Sequence, residues 1–206
     1  LGSGDCTSES SLPADLQQEG WIMAKEDGVV AGLEVARFVF DLVDPELSCE
    51  LLVQDGDRVA YGDRVLRVSG NAKSILIGER LALNFIQRMS GIASRTAEIM
   101  ASFEGTKCAV LDTRKTTPGL RAFEKLAVQL GGGTNHRMGL YDMILVKDNH
   151  VDYAGSMGQA LANVANYLDQ SNANLPVVVE VRNPAEAKAA MEARSHFQKP
   201  NGKPLV

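Results

Sequence analysis

Residues 109–150 read AVLDTRKTTPGLRAFEKLAVQLGGGTNHRMGLYDMILVKDNH, and the fold turns on how this stretch is parsed. It holds two short apolar runs, 109–111 and 143–146, each bounded within a few residues by polar and charged groups. Runs of that length suit strands buried on both faces, as in parallel sheets. Between them Leu120, Phe123, Ala127 and Leu130 recur at helical spacing. Pro118-Gly119 precedes that helix and Gly131-Gly132-Gly133 closes it. The spacing therefore predicts one β-α-β unit. Its strands end in Asp112-Thr113-Arg114-Lys115 and in Lys147-Asp148-Asn149-His150. In β/α barrels the C-terminal strand ends carry the substrate site, so cationic strand ends point to an anionic ligand.

The same alternation continues downstream. Met157, Leu161, Val164, Ala165 and Leu168 form a second helical stripe, 175–181 reads as a third buried strand, and Pro184 opens an alanine-rich helix over 185–194. A β-α-β-α-β-α order implies a parallel sheet or part of a barrel. Three such units cannot close eight strands, and the tail from His196 to Pro204 is polar and turn-rich. A half barrel would leave strand edges unpaired.

Upstream the character changes to α+β with antiparallel pairing. The first twenty residues are small and polar, with Gly4-Asp5-Cys6-Thr7-Ser8-Glu9 as their only patterned piece. A strand is expected over 21–26 and an amphipathic helix over 33–43, ended by Asp44-Pro45. Leu47, Cys49, Leu51 and Val53 alternate as in a half-buried strand. Asp55-Gly56-Asp57 is a turn, and 59–68 supplies one or two strands around Gly62. A long helix spans 72–103, with Ala82, Phe85, Ile86 and Met89 as its stripe and a break or bend at Ser90-Gly91. The turn at 103–106 separates an N-terminal domain, 1–104, from a barrel domain, 105–206.

At 206 residues and 45% hydrophobic content the chain can bury a substantial core. A net charge of −5 argues against a general nucleic-acid binder. Cys6, Cys49 and Cys108 are scattered and lack CxxC spacing, so they read as reduced, buried thiols of a cytoplasmic protein. No apolar run approaches membrane-spanning length and no signal peptide is evident. The first residue is Leu1, which suggests that the N-terminus has been trimmed.

The candidate site residues each have a bland reading. Arg114 and Lys115 could be consumed by structural ion pairs with Asp112 and Glu124. His136 could be solvated in a helix-capping loop, and Glu79 and Arg80 could be a solvated helix face. Glu180 could pair with Arg182. Against that, glycine-rich turns allow close approach of backbone to a ligand, and Arg137 adds a second guanidinium fork. Two forks and a histidine suit a planar ligand with two carboxylates, while Lys115 and Lys147 suit phosphates. Glu180 could hold a hydroxyl or a magnesium ion.

ERLALNFIQRMSGIAS, LDTRKTTPGLRAFEKLAV and GGGTNHRMGLYDMILVKDNH strongly resemble the quinolinate phosphoribosyltransferases, and GDCTSES matches their N-terminal domain. Within the fold, relatives acting on another pyridine carboxylate and a molybdenum-linked paralogue are alternatives, and His136-Arg137 favours quinolinate. The resemblance implies an N-terminal α+β open sandwich followed by a parallel β/α barrel. It also implies reaction of quinolinate with phosphoribosyl pyrophosphate, with Mg2+, to give nicotinate mononucleotide, pyrophosphate and carbon dioxide. Carried onto this sequence, Arg114, His136 and Arg137 hold the quinolinate carboxylates. Lys115 and Lys147 meet phosphoribosyl pyrophosphate and act catalytically, and Glu180 serves metal or ribose. Arg80 would reach into the partner's site of a homodimer. The family's further strands are not found after Arg194, so the chain is expected to be an incomplete form. A second likeness concerns DGDRVAYGDRVLRVSG, which is similar to the hairpin of biotinyl and lipoyl carrier domains. It leaves a non-catalytic carrier or ligand-binding module, modified at Lys25, as the alternative.

Overall fold

The computed structural model describes residues 4–193, so Arg194 and the tail expected from His196 onward lie outside the described residues. The chain divides into two compact units, Leu1–His136 and Arg137–Val206, and each is described by itself.

The first unit contains α1 (Cys6–Ser11), β1 (Gln17–Met23), β2 (Gly28–Val29), α2 (Leu33–Val43), β3 (Ser48–Leu51), β4 (Arg58–Val59), β5 (Arg64–Asn71), α3 (Ala72–Ala101) and α4 (Arg121–Leu130). β1, β5 and β3 form an antiparallel sheet in that order, and β2 pairs antiparallel with β4. The antiparallel pairing over 17–71 is the α+β character expected there, while the unit itself runs on past residue 104 to include α4. Helix α1 is additional: it has no apolar period, and its signal is Asp5, whose carboxylate accepts from the Thr7 and Ser8 amides. Strand β1 begins at Gln17 rather than at Trp21, because the long β5 pairs with it from Gln17↔Asn71 onward. Pairing, not apolarity, sets its start.

Helix α2 has the expected bounds. Gly32, at φ 96°, offers its N-terminus no side-chain cap. Asp55 supplies one from the distant turn, accepting from the Leu33 amide at 2.8 Å and the Glu34 amide at 3.3 Å. Its buried face, Leu33, Ala36, Val39 and Phe40, packs in one core cluster with Val65, Leu66, Val68, Ala82 and Ile86. Phe40 is fully buried against α3. A Cβ built on Gly78 would lie 2.7 Å from its ring, so only glycine lets the two helices approach this closely.

Of the break or bend expected at Ser90-Gly91, the break does not occur, and α3 is continuous over 30 residues. Ser90 Oγ accepts from the Ala31 amide at 2.9 Å and donates to its carbonyl at 3.2 Å. One turn later Ser94 does the same with Val29, at 2.9 and 3.3 Å. The two serines thus act as a surrogate strand for the extended segment around β2, which accounts for polar residues in mid-helix.

The run 109–111 is not a strand but a single parallel bridge, Leu111↔Thr134. Its only backbone bonds to that neighbour are Thr134 N to Val110 O at 2.8 Å and Asp112 N to Thr134 O at 3.2 Å. With so little to pair against, no ladder extends, and Leu111 is 53% exposed. Helix α4 buries Ala127 as expected, but also Glu124 and Lys125, while Leu126 is partly exposed. The thiols differ from expectation too. Cys6 and Cys108 are exposed, because α1 and the 103–108 turn are surface features, and only Cys49 is half-buried; all three are free. Burial, helped by the Asp41 charge, pushes the Cys49 thiol up to about 11.

The second unit contains β6 (Ile144–Val146), α5 (Asp148–Ala154), α6 (Met157–Ser171), β7 (Val177–Val179) and α7 (Pro184–Ala193). β6 and β7 pair in parallel, Ile144↔Val177 through Val146↔Val179, as the βα alternation requires. Val146, Val151, Met157, Leu161, Leu168 and Val177 form its core. Helix α5 has no apolar signal in the sequence. Its first residues look like a polar strand end, yet His150 Nδ1 accepts from the Lys147 amide at 2.9 Å and so caps the helix. Among the described residues no helix is long and apolar enough to cross a membrane.

Candidate functional site

In the first unit Arg114 and Lys115 are not consumed by the structural ion pairs with Asp112 and Glu124 that were the alternative to a ligand-binding role. The acids are bound elsewhere. Asp112 forms a salt bridge with Lys125, their side chains 6% and 1% exposed. Glu124 accepts from Arg88 Nε at 3.1 Å, from Arg88 Nη2 at 2.5 Å and from the Thr117 amide at 3.2 Å. Burial alone would raise the Glu124 pKa, but the bonds from Arg88 and Thr117 and the Arg88 charge outweigh it and hold the carboxyl below its ordinary range. Arg88 Nη2 also donates to Thr117 Oγ1 at 2.7 Å. The neighbouring α4 residues Glu124 and Lys125 thereby fasten both ends of segment 112–117, which carries Arg114 and Lys115.

Those two cations are left uncommitted. Lys115 is exposed, its amide donating to Thr113 Oγ1 at 3.1 Å, and it has no ion pair among the described residues. Arg114 is half-buried, and its Nε is buried with no acceptor among the described residues. A buried guanidinium N–H without a partner is costly, on the order of 1–3 kcal/mol, unless something supplies an acceptor.

His136, also half-buried, is held by its backbone: its amide donates to Asp112 Oδ1 at 2.8 Å. With its amide group turned so that nitrogen faces the acceptors, Asn135 donates to Asp112 Oδ2 at 2.5 Å and to the Lys125 carbonyl at 2.8 Å. Asp112 thus gathers the bridge at 111, helix α4 and the 134–136 turn. Of the three glycines before that turn, Gly131 and Gly133 serve packing, whereas Gly132 has open space and a left-handed φ of 86°. A Cβ on Gly131 would collide with the Ala93 carbonyl of α3, and one on Gly133 would lie 2.9 Å from Thr96 Cγ2. Their close approach is to a helix. Arg80 lies on α3, exposed and with no ion pair among the described residues, and Lys25 is exposed in the bend after β1. A cleft of about 400 Å3 near the start of α3, lined by Glu9, Asp44, Lys73 and Ser74 among others, contains none of the expected site residues.

In the second unit Lys147 and Glu180, one residue beyond β6 and β7, meet at 3.1 Å. The parallel register brings them together, since the Glu180 amide donates to the Val146 carbonyl at 2.8 Å. Glu180 therefore pairs with Lys147, and not with Arg182, which binds Asp152 and Glu186. The side chains of Lys147 and Glu180 are 43% and 54% exposed, so the pair is weak enough for either partner to be drawn to a ligand. Arg137 is half-buried and, like Arg114, keeps a buried Nε with no acceptor among the described residues. The loop after it is shaped by Asp142, which accepts from the Met138 and Gly139 amides at 2.7 and 2.8 Å. Among the described residues no three His, Cys, Asp or Glu side chains are grouped to hold a metal ion.

The fastening residues Arg88, Asp112, Glu124, Lys125 and Asp142 escape a reading of the sequence as a fastening set. For Lys125 and Glu124 a signal exists, two adjacent charges inside the amphipathic helix between the strand-end motifs.

Comparison with known proteins agrees with these motifs. The family model described as quinolinate phosphoribosyl transferase, C-terminal domain, matches residues 92–197, and the one for the N-terminal domain matches residues 5–90. The chain is 46% identical over 192 residues to quinolinate phosphoribosyltransferase [decarboxylating] 2a, mitochondrial, of Nicotiana tabacum, covering 93% of this chain and 54% of that protein. It is 47% identical over 193 residues to the chloroplastic nicotinate-nucleotide pyrophosphorylase [carboxylating] of Arabidopsis thaliana, covering 94% and 55%. It superposes on the crystal structure of NadC from Streptococcus pyogenes with a TM-score of 0.89 and 42% identity, covering 94% of this chain and 68% of that one. The chain spans about half the length of the curated relatives it matches. Motifs, fold and relatives agree, and the chain belongs to the quinolinate phosphoribosyl transferase family.

Proposed function

We propose that the protein to which this chain belongs joins quinolinate to phosphoribosyl pyrophosphate and releases pyrophosphate and carbon dioxide, forming nicotinate mononucleotide for NAD biosynthesis. The observation that carries this reading is the buried guanidinium nitrogens of Arg114 and Arg137, which have no acceptor among the described residues, while the acids near Arg114 are already paired. Both substrates are polyanions that repel one another, so their encounter needs fixed positive charge. Arg114, His136 and Arg137 take the carboxylates of quinolinate, for which a planar fork is better matched than a point charge. Lys115 and Lys147 take the phosphates and stabilise the charge that grows on departing pyrophosphate. As the ribosyl carbon–oxygen bond breaks, the pyridine nitrogen lone pair forms the new bond to that carbon. The resulting pyridinium accepts the electron pair of the carbon–carboxylate bond when carbon dioxide leaves, and a proton takes its place on the ring.

Magnesium belongs to the same proposal. Glu180 is a single carboxylate, which fits a cation that arrives on a polyphosphate and keeps most of its waters. Such an ion would neutralise phosphate charge. Arg80, exposed and unpaired among the described residues, is assigned to the neighbouring site of a homodimer. The cytoplasmic assignment rests on three free cysteines, whereas relatives in Nicotiana tabacum and Arabidopsis thaliana are named mitochondrial and chloroplastic.

The test is Arg114→Lys. Charge is kept but the fork is lost, and we expect quinolinate affinity to fall at least tenfold by titration calorimetry. Unchanged affinity would remove Arg114 from the site.

A further inference from the structure

We propose that Lys125 and Asp112 form a buried positioning pair that sets the backbone of the quinolinate-binding residues without touching the ligand. The inference rests on the reading above, in which Arg114 and His136 bind quinolinate. The pair is almost wholly enclosed, with side chains 1% and 6% exposed. Enclosure of that kind does not by itself add stability, since well-packed apolar residues of similar volume often do as well or better. What the charges do bring is geometry. The Asp112 carboxylate receives Lys125 Nζ from α4, the His136 amide at 2.8 Å and the Asn135 side chain, while the Lys125 carbonyl takes the other Asn135 hydrogen at 2.8 Å. Thr134 is bonded to Val110 and Asp112 on the same side. One carboxylate and one ammonium therefore lock three segments that are separate in sequence. Arg114 lies two residues beyond the lock, and His136 is part of it.

A structural role alone and a positioning role make different predictions. Lys125→Met leaves a buried carboxylate without its cation and is expected to destabilise the fold severely. The informative variant is therefore the neutral double, Asp112→Asn with Lys125→Met. Its carboxamide oxygen at position 112 still accepts from the His136 amide, but α4 is no longer tied to it. We expect it to melt within a few degrees of wild type and yet to bind quinolinate at least tenfold more weakly in titration calorimetry. The same double change in an Arg114→Ala background should cost clearly less quinolinate affinity than it does in wild type, because the share of its effect that acts through Arg114 is already lost. If the neutral double binds like wild type, or if its loss simply adds to that of Arg114→Ala, the positioning role is refuted. If it does not fold, Asn135→Ala, which keeps the ion pair but releases the 134–136 turn from Asp112 and from the Lys125 carbonyl, is measured against the same two criteria. Absence of quinolinate binding by the wild-type protein to which this chain belongs would overturn the underlying reading, and this inference with it. Binding that is lost on Arg114→Ala but indifferent to the pair would overturn only the inference.

Discussion

Ser90→Ala tests whether α3 is held by its serine ladder. The change deletes a hydroxyl that accepts from the Ala31 amide at 2.9 Å and donates to the Ala31 carbonyl at 3.2 Å. Ala31 is 0% exposed, so water cannot replace the lost partner. An orphaned buried N–H costs about 1–3 kcal/mol. Alanine in place of serine inside a helix returns at most about 0.5 kcal/mol, and the smaller side chain leaves little void. The hydrogen-bond loss wins, leaving a net destabilisation of about 0.5–2.5 kcal/mol. With a urea dependence of about 1–3 kcal/mol per molar, the unfolding midpoint should fall by roughly 0.2–2.5 M. Ser94→Ala should behave alike, since Val29 is 5% exposed and bonded in the same two ways. Asn84→Ala, at an exposed position of the same helix, should raise the midpoint slightly through propensity alone. A Ser90→Ala midpoint at or above wild type, with Asn84→Ala behaving as expected, would refute the ladder.

Two glycines of α3 should respond to alanine with opposite signs. Gly91 has nothing within 4 Å of a built Cβ, so Gly91→Ala should gain about 1 kcal/mol in urea unfolding. At Gly78 the same propensity gain meets the Phe40 ring at 2.7 and 2.9 Å, and overpacking of about 1–3 kcal/mol makes Gly78→Ala neutral to destabilising. Acid unfolding should depend on Glu124. Its folded pKa lies below the ordinary 4.5, so its stabilisation is fully present above that value and is lost as pH falls through the folded value. Urea midpoints of Glu124→Gln should therefore fall less between pH 6 and pH 3 than those of wild type.

Much of the architecture is legible from local pattern. The bounds of α2 follow from its apolar stripe, and the parallel pairing of β6 with β7 follows from alternating apolar runs and helices. What escapes reading depends on long-range partners. Ser90 looks like a helix-breaker until Ala31 is placed against it, and β1 starts early only because β5 is long enough to meet it. Residues 109–111 have the composition of a strand but too few backbone neighbours to be one. At the site, the cations are identifiable by type and position, whereas their availability is not. That depends on Lys125 and Arg88 capturing Asp112 and Glu124, pairings across 13 and 36 residues that no local pattern announces. The meeting of Lys147 with Glu180 likewise requires the register of two strands 33 residues apart.

Continuity of α3 has a consequence for how the first unit comes apart. At 30 residues the helix is about 45 Å long. It contributes Ala82 and Ile86 to the cluster around Phe40, and Met89 and Ala93 to the cluster beneath α4. A rod shared by two cores couples their melting: neither can loosen fully while the other stays native without bending the rod between them. The segment bearing Arg114 and the turn bearing His136 are moored, through α4, to the same rod. Partial opening in this unit should then disturb the Arg114 segment, the His136 turn and the three-stranded sheet together, as one cooperative event.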